Sequence, residues 1–207
     1  SHAINKGFKK ASGDILAWLN SDDLYMPGIL NFLFTKFISM SFTIYFGESI
    51  YFSDTANSFK AWGTNITKVK DVNDIFTYDY IIQPSTFWTR DAWEKIGPLR
   101  EDLSYAFDWE WFIRGIKIGA SLMPLNLPIS LYRIHNSNKT ANGGIIRHEE
   151  ILNIYKLYHP KNAHLYEMLC MEKIKRGDLY YWMYKTLKKF LHKEFSIGAF
   201  LKVIKKS

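Results

Sequence analysis

The sequence predicts an α/β fold built on a mostly parallel sheet with flanking helices. Amphipathic helical stretches alternate with strand-like apolar runs from the N-terminus onward. "ILAWL" (15–19) is apolar without a break and follows a helix, as a parallel strand covered on both faces would. That run ends in "NSDD" (20–23), polar groups at the carboxyl end of a strand, where open α/β sheets bind ligands.

Each element has its own signal. Ala3, Ile4, Gly7, Phe8 and Ala11 share one helical face and Asn5, Lys6, Lys9 and Lys10 the other, so the chain opens on a helix. Ser12-Gly13 supplies a stop, with glycine in the left-handed conformation. Pro27 suits a helix start, and that helix is expected through Ile29–Ile38. "FTIYFGESIYF" (42–52) reads as one strand, or as a hairpin broken near Gly47. Residues 54–80 are polar and irregular, a surface excursion. "TFWTRDAWEKIG" (86–97) is a strand running into a short helix stopped by Gly97. "FDWEWFIRGIKIG" (107–119) is a helix with Trp109, Phe112, Ile113 and Ile116 as its buried stripe and Glu110–Arg114 as an i,i+4 pair. "SLMPLNLPISLYRIH" (121–135) is extended, and its two prolines suit an edge strand. Helix is expected from about residue 146 to the end. Domain boundaries follow: 1–145 as the α/β unit, 146–207 as a helical region.

Composition narrows the function classes. The chain is 47% hydrophobic and 17% aromatic, enough for a core and for surface-anchoring rings. Its single cysteine, Cys170, forms no internal disulfide. There is no run of about 18 apolar residues to span a membrane, and the opening residues read as a helix rather than a secretory leader. The net charge of +7 is confined to the tail: residues 171–207 carry 10 Lys/Arg against 3 Asp/Glu, and residues 1–170 carry 17 against 17. A neutral main body argues against nucleic acid as a partner.

Asp22 and Asp23 pose the chemical question. Adjacent carboxylates at a strand end repel, and burial raises the cost. A hard divalent cation, Mn²⁺ or Mg²⁺, would relieve them, since such ions bridge protein carboxylates to substrate phosphates. Taken alone, "SDD" reads better as a solvated loop with Asp23 near a helix N-terminus.

"AINKGFKKASGDILAWLNSDDLYMPGIL" (3–30) resembles the core of family 2 glycosyltransferases, inverting enzymes of the GT-A fold. "QPSTFWTRDAWEKIGPL" (83–99) is similar to that family's acceptor-side strand and helix, "YAFDWEWFIR" (105–114) to its catalytic-base helix, and "YRIHNSNKT" (132–140) to its histidine segment. The resemblance implies sugar transfer from a nucleotide-sugar, a UDP-sugar, to an acceptor hydroxyl with inversion. It implies Asp22 at the donor ribose or diphosphate, Asp23 as metal ligand, and Asp108 as the base. His135 would approach the metal or diphosphate, and Arg133 the phosphates. Gln83, Trp88 and Trp111 would shape the acceptor pocket, the acceptor being a glycan or lipid-linked saccharide. Read without the resemblance, Asp108 is an N-cap, Trp88 is core packing, His135 is a surface histidine and Arg133 a salt-bridge partner. Asn20 stands where many relatives carry another aspartate.

The resemblance starts at the helix before the Asp-Asp strand. The family's opening strands and nucleotide-gripping loop have no counterpart here, so an N-terminally incomplete GT-A domain with a partial donor pocket is expected. A non-catalytic binding or assembly module is the alternative.

In the tail, Leu179, Trp182, Met183, Leu187, Phe190 and Leu191 share a helical face opposite Lys185, Lys188, Lys189 and His192. A basic amphipathic helix of this kind suits an anionic membrane surface, which would place a cytoplasmic enzyme at the inner face of the membrane. Packing of the same apolar face on the domain is the competing reading.

Overall fold

The computed structural model describes residues 1–36, 41–53 and 71–168. The 179–207 amphipathic segment and most of the 54–80 excursion lie outside them. The chain divides into two compact units, Ser1–Glu150 and Ile151–Ser207.

The first unit opens on helix α1 (His2–Lys10), which stops without help from Gly13. Ala11 is already extended, and its N–H closes the last turn on Gly7 and Phe8 carbonyls. Asn5, read as part of the polar face, is buried. Its side chain donates to Leu99 O at 2.9 Å and accepts from Leu99 N at 3.0 Å, pinning α1 to a loop 94 residues away.

The apolar run 15–19 forms only a two-residue strand, β1 (Ile15–Leu16). A second short strand, β2 (Leu24–Tyr25), follows the carboxylates, and Gly28 at φ +75° leads into helix α2 (Ile29–Lys36). Strand β3 (Thr43–Phe52) is continuous, not a hairpin. After a 3₁₀ turn at Val72–Phe76 come β4 (Thr86–Thr89) and helix α3 (Arg90–Ile96), stopped by Gly97 at φ +83°. Helix α4 (Phe107–Lys117), strand β5 (Ser121–Arg133) and helix α5 (Gly144–Tyr158) complete the order.

Among the described residues five strands lie in the order β1-β4-β3-β5-β2. The sheet is mixed rather than mostly parallel: β3–β5 is the parallel pairing, while β1–β4, β3–β4 and β2–β5 are antiparallel. The apolar run misled because its burial comes from side-chain packing, not from a long ladder. Trp18, beyond the last paired residue, packs edge-on to Phe8 at 6.0 Å and to Trp88 at 5.3 Å.

Strand β5 is not an edge, because β3 lies on one side and β2 on the other. Its prolines are tolerated for a local reason. Pro124 and Pro128 fall before the short stretch, Ser130 and Leu131, that β2 covers, and the β3 register shifts beside Pro128. A residue without an N–H costs no ladder bond at such places. Gly47 lies at this irregularity. A Cβ there would come within 2.1 Å of Ile129 Cγ1 and 2.8 Å of Leu127 O, so only glycine lets the two strands approach.

Both faces of the sheet are covered. Tyr45, Phe87 and Ile129 pack with Ile29 and Leu33 of α2. On the opposite face Trp88 meets Phe8 of α1, Trp93 of α3 and Trp111 of α4, with ring centroids 4.9–6.5 Å apart. Helix α4 is buried nearly all round from Trp109 to Ile113, wider than the predicted stripe. The Glu110–Arg114 pair forms at 3.1 Å, and Arg114 also donates to Ile96 O and Pro98 O, bracing α3 against α4.

In the second unit α6 (Pro160–Tyr166) starts on its proline, and Tyr155 and Tyr166 pack 5.2 Å apart. Among the described residues no helix is long and apolar enough to cross a membrane.

Candidate active site

The turn between β1 and β2 carries Asn20, Asp22 and Asp23, and the pairing of β2 with the end of β5 brings Arg133 and His135 to it. Leu24 opposite Leu131 sets that register, placing residues more than a hundred positions apart side by side.

The two carboxylates have opposite environments. Asp23 is 4% exposed. One oxygen accepts from Arg133 N at 3.0 Å and the other from Asn20 Nδ2 at 3.0 Å. Burial pushes its carboxyl above the usual range against the pull of those donors. Asp22 is more open, its side chain 34% exposed, and one of its oxygens lies 2.9 Å from His135 Nε2. That hydrogen bond holds Asp22 below the usual carboxylate range, with the Arg133 charge contributing. Neighbouring groups driven apart in this way take different roles.

The 3₁₀ and turn residues after β5 fix the histidine. Asn138 Oδ1 accepts from His135 N at 2.5 Å, and Asn138 Nδ2 donates to Arg133 O at 3.0 Å. Asn142 Nδ2 in turn donates to Asn136 O and Asn138 O, both at 2.9 Å. Sequence alone singles out no residue of this asparagine clamp, although Asn-Ser-Asn (136–138) is a turn signal.

Gln83 is drawn to the same turn but from behind. It is buried, donates through Nε2 to Trp18 O at 2.8 Å and accepts from Asn20 at 3.4 Å. Gln83 therefore holds the 18–20 backbone. Trp88 and Trp111 are both 0% exposed. Trp111 Nε1 donates to Gly97 O at 2.8 Å, and both rings are enclosed in the aromatic core with no face open to a ligand. A pocket role for Trp111 requires α4 to have a free side at that residue, and packing on both sides removes it.

Asp108 lies in the first turn of α4. One oxygen accepts from Trp109 N at 2.8 Å. Burial pushes the carboxyl up, with Glu150 adding to that and the Trp109 and Asp108 N–H groups and Arg147 opposing. Two observations tie Asp108 to the Asp22 region. Phe107 packs against Trp18 at 6.3 Å. Tyr132, its phenol raised chiefly by burial, also feels the charges of Asp23, Asp22 and Asp108.

Residues 1–96 match the family model for glycosyl transferase family 2. This segment belongs to that family. No curated protein matches the chain. The family implies glycosyl transfer from a nucleotide sugar, and the family 2 segment contributes Asp22, Asp23, Gln83 and Trp88. Asp108, Arg133 and His135 lie beyond the matched residues, and the fold of the chain brings Arg133 and His135 onto the family 2 carboxylates.

Among the described residues no group of three or more His, Cys, Asp or Glu side chains is arranged to hold a metal ion. The donor set present is smaller. One carboxylate and one imidazole share the open side of the turn, a set suited to ions that keep waters and take substrate phosphates as further ligands. Asp22 and His135 fit that demand, whereas both oxygens of Asp23 are occupied by N–H donors.

Proposed function

We propose that the chain transfers a sugar from a UDP-sugar to a hydroxyl of a glycan or lipid-linked acceptor, with inversion and dependence on Mn²⁺ or Mg²⁺. The observation that supports it best is the Asp22–His135 pair, open to solvent and seated on the enclosed Asp23–Arg133 contact. Asp22 and His135 would hold the cation, rather than Asp23. A cation bound there would offset charge on the diphosphate. Asp23 fixes the backbone of Arg133 and so the strand end from which the guanidinium reaches phosphate oxygens.

Asp108 serves the acceptor. Its carboxylate takes the hydroxyl proton as the acceptor oxygen bonds to the anomeric carbon. The bond from that carbon to the diphosphate oxygen breaks, its electron pair leaves with UDP, and configuration inverts in a single displacement. For the tail we propose placement of the enzyme at an anionic membrane surface, on the charge and apolar pattern of 179–207 alone.

The test is UDP release from UDP-glucose, UDP-galactose and UDP-N-acetylglucosamine with Mn²⁺. Asp108→Asn should cut kcat by ~10²–10⁴-fold with donor KM unchanged. Its amide still accepts from Trp109 N and removes a charge that desolvation disfavours, so Tm should hold or rise. A loss of donor affinity at normal kcat refutes the base assignment. Absence of both turnover and nucleotide-sugar binding by the wild-type chain leaves the binding-module reading.

A further inference from the structure

Helix α4 starts without a cap of its own. Its N-cap residue is Ala106, which offers no side-chain acceptor. The acceptor arrives from α5 instead. Glu150, 7% exposed, takes three backbone N–H groups: Ser104 N at 2.7 Å on Oε1, and Tyr105 N at 2.8 Å and Ala106 N at 3.0 Å on Oε2. The chain between Asp102 and Phe107 is thereby wrapped around one carboxylate, two residues before Asp108.

We propose that Glu150 is a positioning residue for Asp108, setting the placement and proton affinity of that carboxyl through the Ser104–Ala106 turn. This rests on the reading of Asp108 as the base. A buried carboxylate satisfied by three donors is costly to replace, because no neutral side chain offers as many acceptor sites. In Glu150→Gln one oxygen becomes an NH₂ that faces N–H groups, so the turn must open. The groups acting on Asp108 are then identifiable: Glu150 and Arg147 from α5, Tyr132 from β5 and the Trp109 and Asp108 N–H groups of α4. Glu150 raises the Asp108 carboxyl and Arg147 lowers it. Loss of the Glu150 charge and admission of water to a loosened turn both act downward, so their signs agree.

The experiment compares Glu150→Gln, Glu150→Asp, Asp108→Asn and the double variant Asp108→Asn/Glu150→Gln in the full chain. UDP release from the three UDP-sugars gives kcat and KM. Amide exchange follows Ser104–Ala106, and carbon NMR follows the Asp108 carboxyl. Misplacing the base should lower kcat by roughly 10²-fold in Glu150→Gln, with donor KM unchanged. The Ser104–Ala106 amides should exchange faster, and Asp108 should titrate at lower pH. Glu150→Asp, which keeps the charge, should recover part of kcat. In the Asp108→Asn background Glu150→Gln should cost nothing more. A Glu150→Gln protein with wild-type kcat and Asp108 titration overturns the proposal, while an inactive Asp108→Asn protein in the same experiment leaves the base reading standing. Wild-type kcat in Asp108→Asn overturns both. Failure of both Glu150 variants to fold, or a further loss in the double variant, assigns Glu150 to the fold or to another step and overturns the proposal.

Discussion

Asp22→Asn and Asp23→Asn are the same chemical change one residue apart, and the structure predicts opposite outcomes. Asp23 accepts one hydrogen bond on each oxygen, from Arg133 N and from Asn20 Nδ2. An amide can accept one; its NH₂ then faces the other donor, and an unmatched buried group costs about 1–3 kcal/mol. Removal of a buried charge offsets part of this. The net loss is therefore about 1–2 kcal/mol, or roughly 2–8 °C in Tm at the ~2–4 °C per kcal/mol typical of chains this long. Asp22 pairs with the His135 side chain at an open site, and such pairs contribute about 0–1 kcal/mol. Asp22→Asn should thus hold Tm within about 4 °C yet lose the response of UDP release to Mn²⁺. Thermal unfolding by circular dichroism and a Mn²⁺ titration decide it. If Asp22→Asn lowers Tm more than Asp23→Asn, or still responds to Mn²⁺ as wild type does, the division of labour is wrong.

Gly47→Ala should lower stability by about 1–3 kcal/mol or more, read in chemical unfolding, because its Cβ falls 2.1 Å from Ile129 Cγ1 and against a backbone carbonyl; an unchanged midpoint would show that β3 and β5 separate there freely. Acid titration tests the Asp22–His135 pair. A carboxyl lowered in the folded state stabilises it above its unfolded pKa, about 3.9, and loses that contribution as pH falls through the lower folded value. His135→Ala should therefore flatten the loss of stability below pH ~4, and a parallel curve would disprove the coupling. Liposome flotation tests the tail: binding should need anionic lipid, weaken with salt and vanish on removal of 178–207, since each lysine near such a surface contributes about 1 kcal/mol. Flotation of the truncated, folded chain as before would remove the tail from that role.

The α/β class was legible because it rests on local periodicity. The helices α3 and α4, the strand at 86–89 and the stop at Gly97 all follow from signals within a few residues. Strand direction was not legible, because pairing joins distant segments. Ile15 opposite Thr89 and Thr43 opposite Ser121 leave no local trace. The same limit separates the site residues. Asp22, Asp23 and Asp108 stood out as carboxylates in recognisable surroundings. Glu150 did not, since its three donors lie 44–46 residues away and its own segment, "RHEEILN", looks like any polar helix face. Asn5 was placed on the solvent side by the helical wheel, which cannot see that a loop at Leu99 closes over it. Trp111 was misplaced for a related reason: a stripe drawn on one helix assumes one packed side, and α4 has two.

Asn20 shows how the turn tolerates adjacent carboxylates. It stands where an aspartate would add a third negative charge, so one possible charge is absent. The structure gives it another task. Asn20 Nδ2 donates to Asp23 and reaches Gln83, which holds Trp18 O. An aspartate there would set an acceptor against an acceptor 3.0 Å away, and the buried Asp23, already raised by desolvation, would rise further or leave its pocket. With Asn20 in place, dipoles satisfy Asp23 from inside the protein, without a counter-ion. The repulsion between neighbours is then left to Asp22, which faces outward with His135. The open carboxylate already has a cationic neighbourhood in His135 and Arg133, and in the function proposed above it is the one that would meet a cation and a diphosphate.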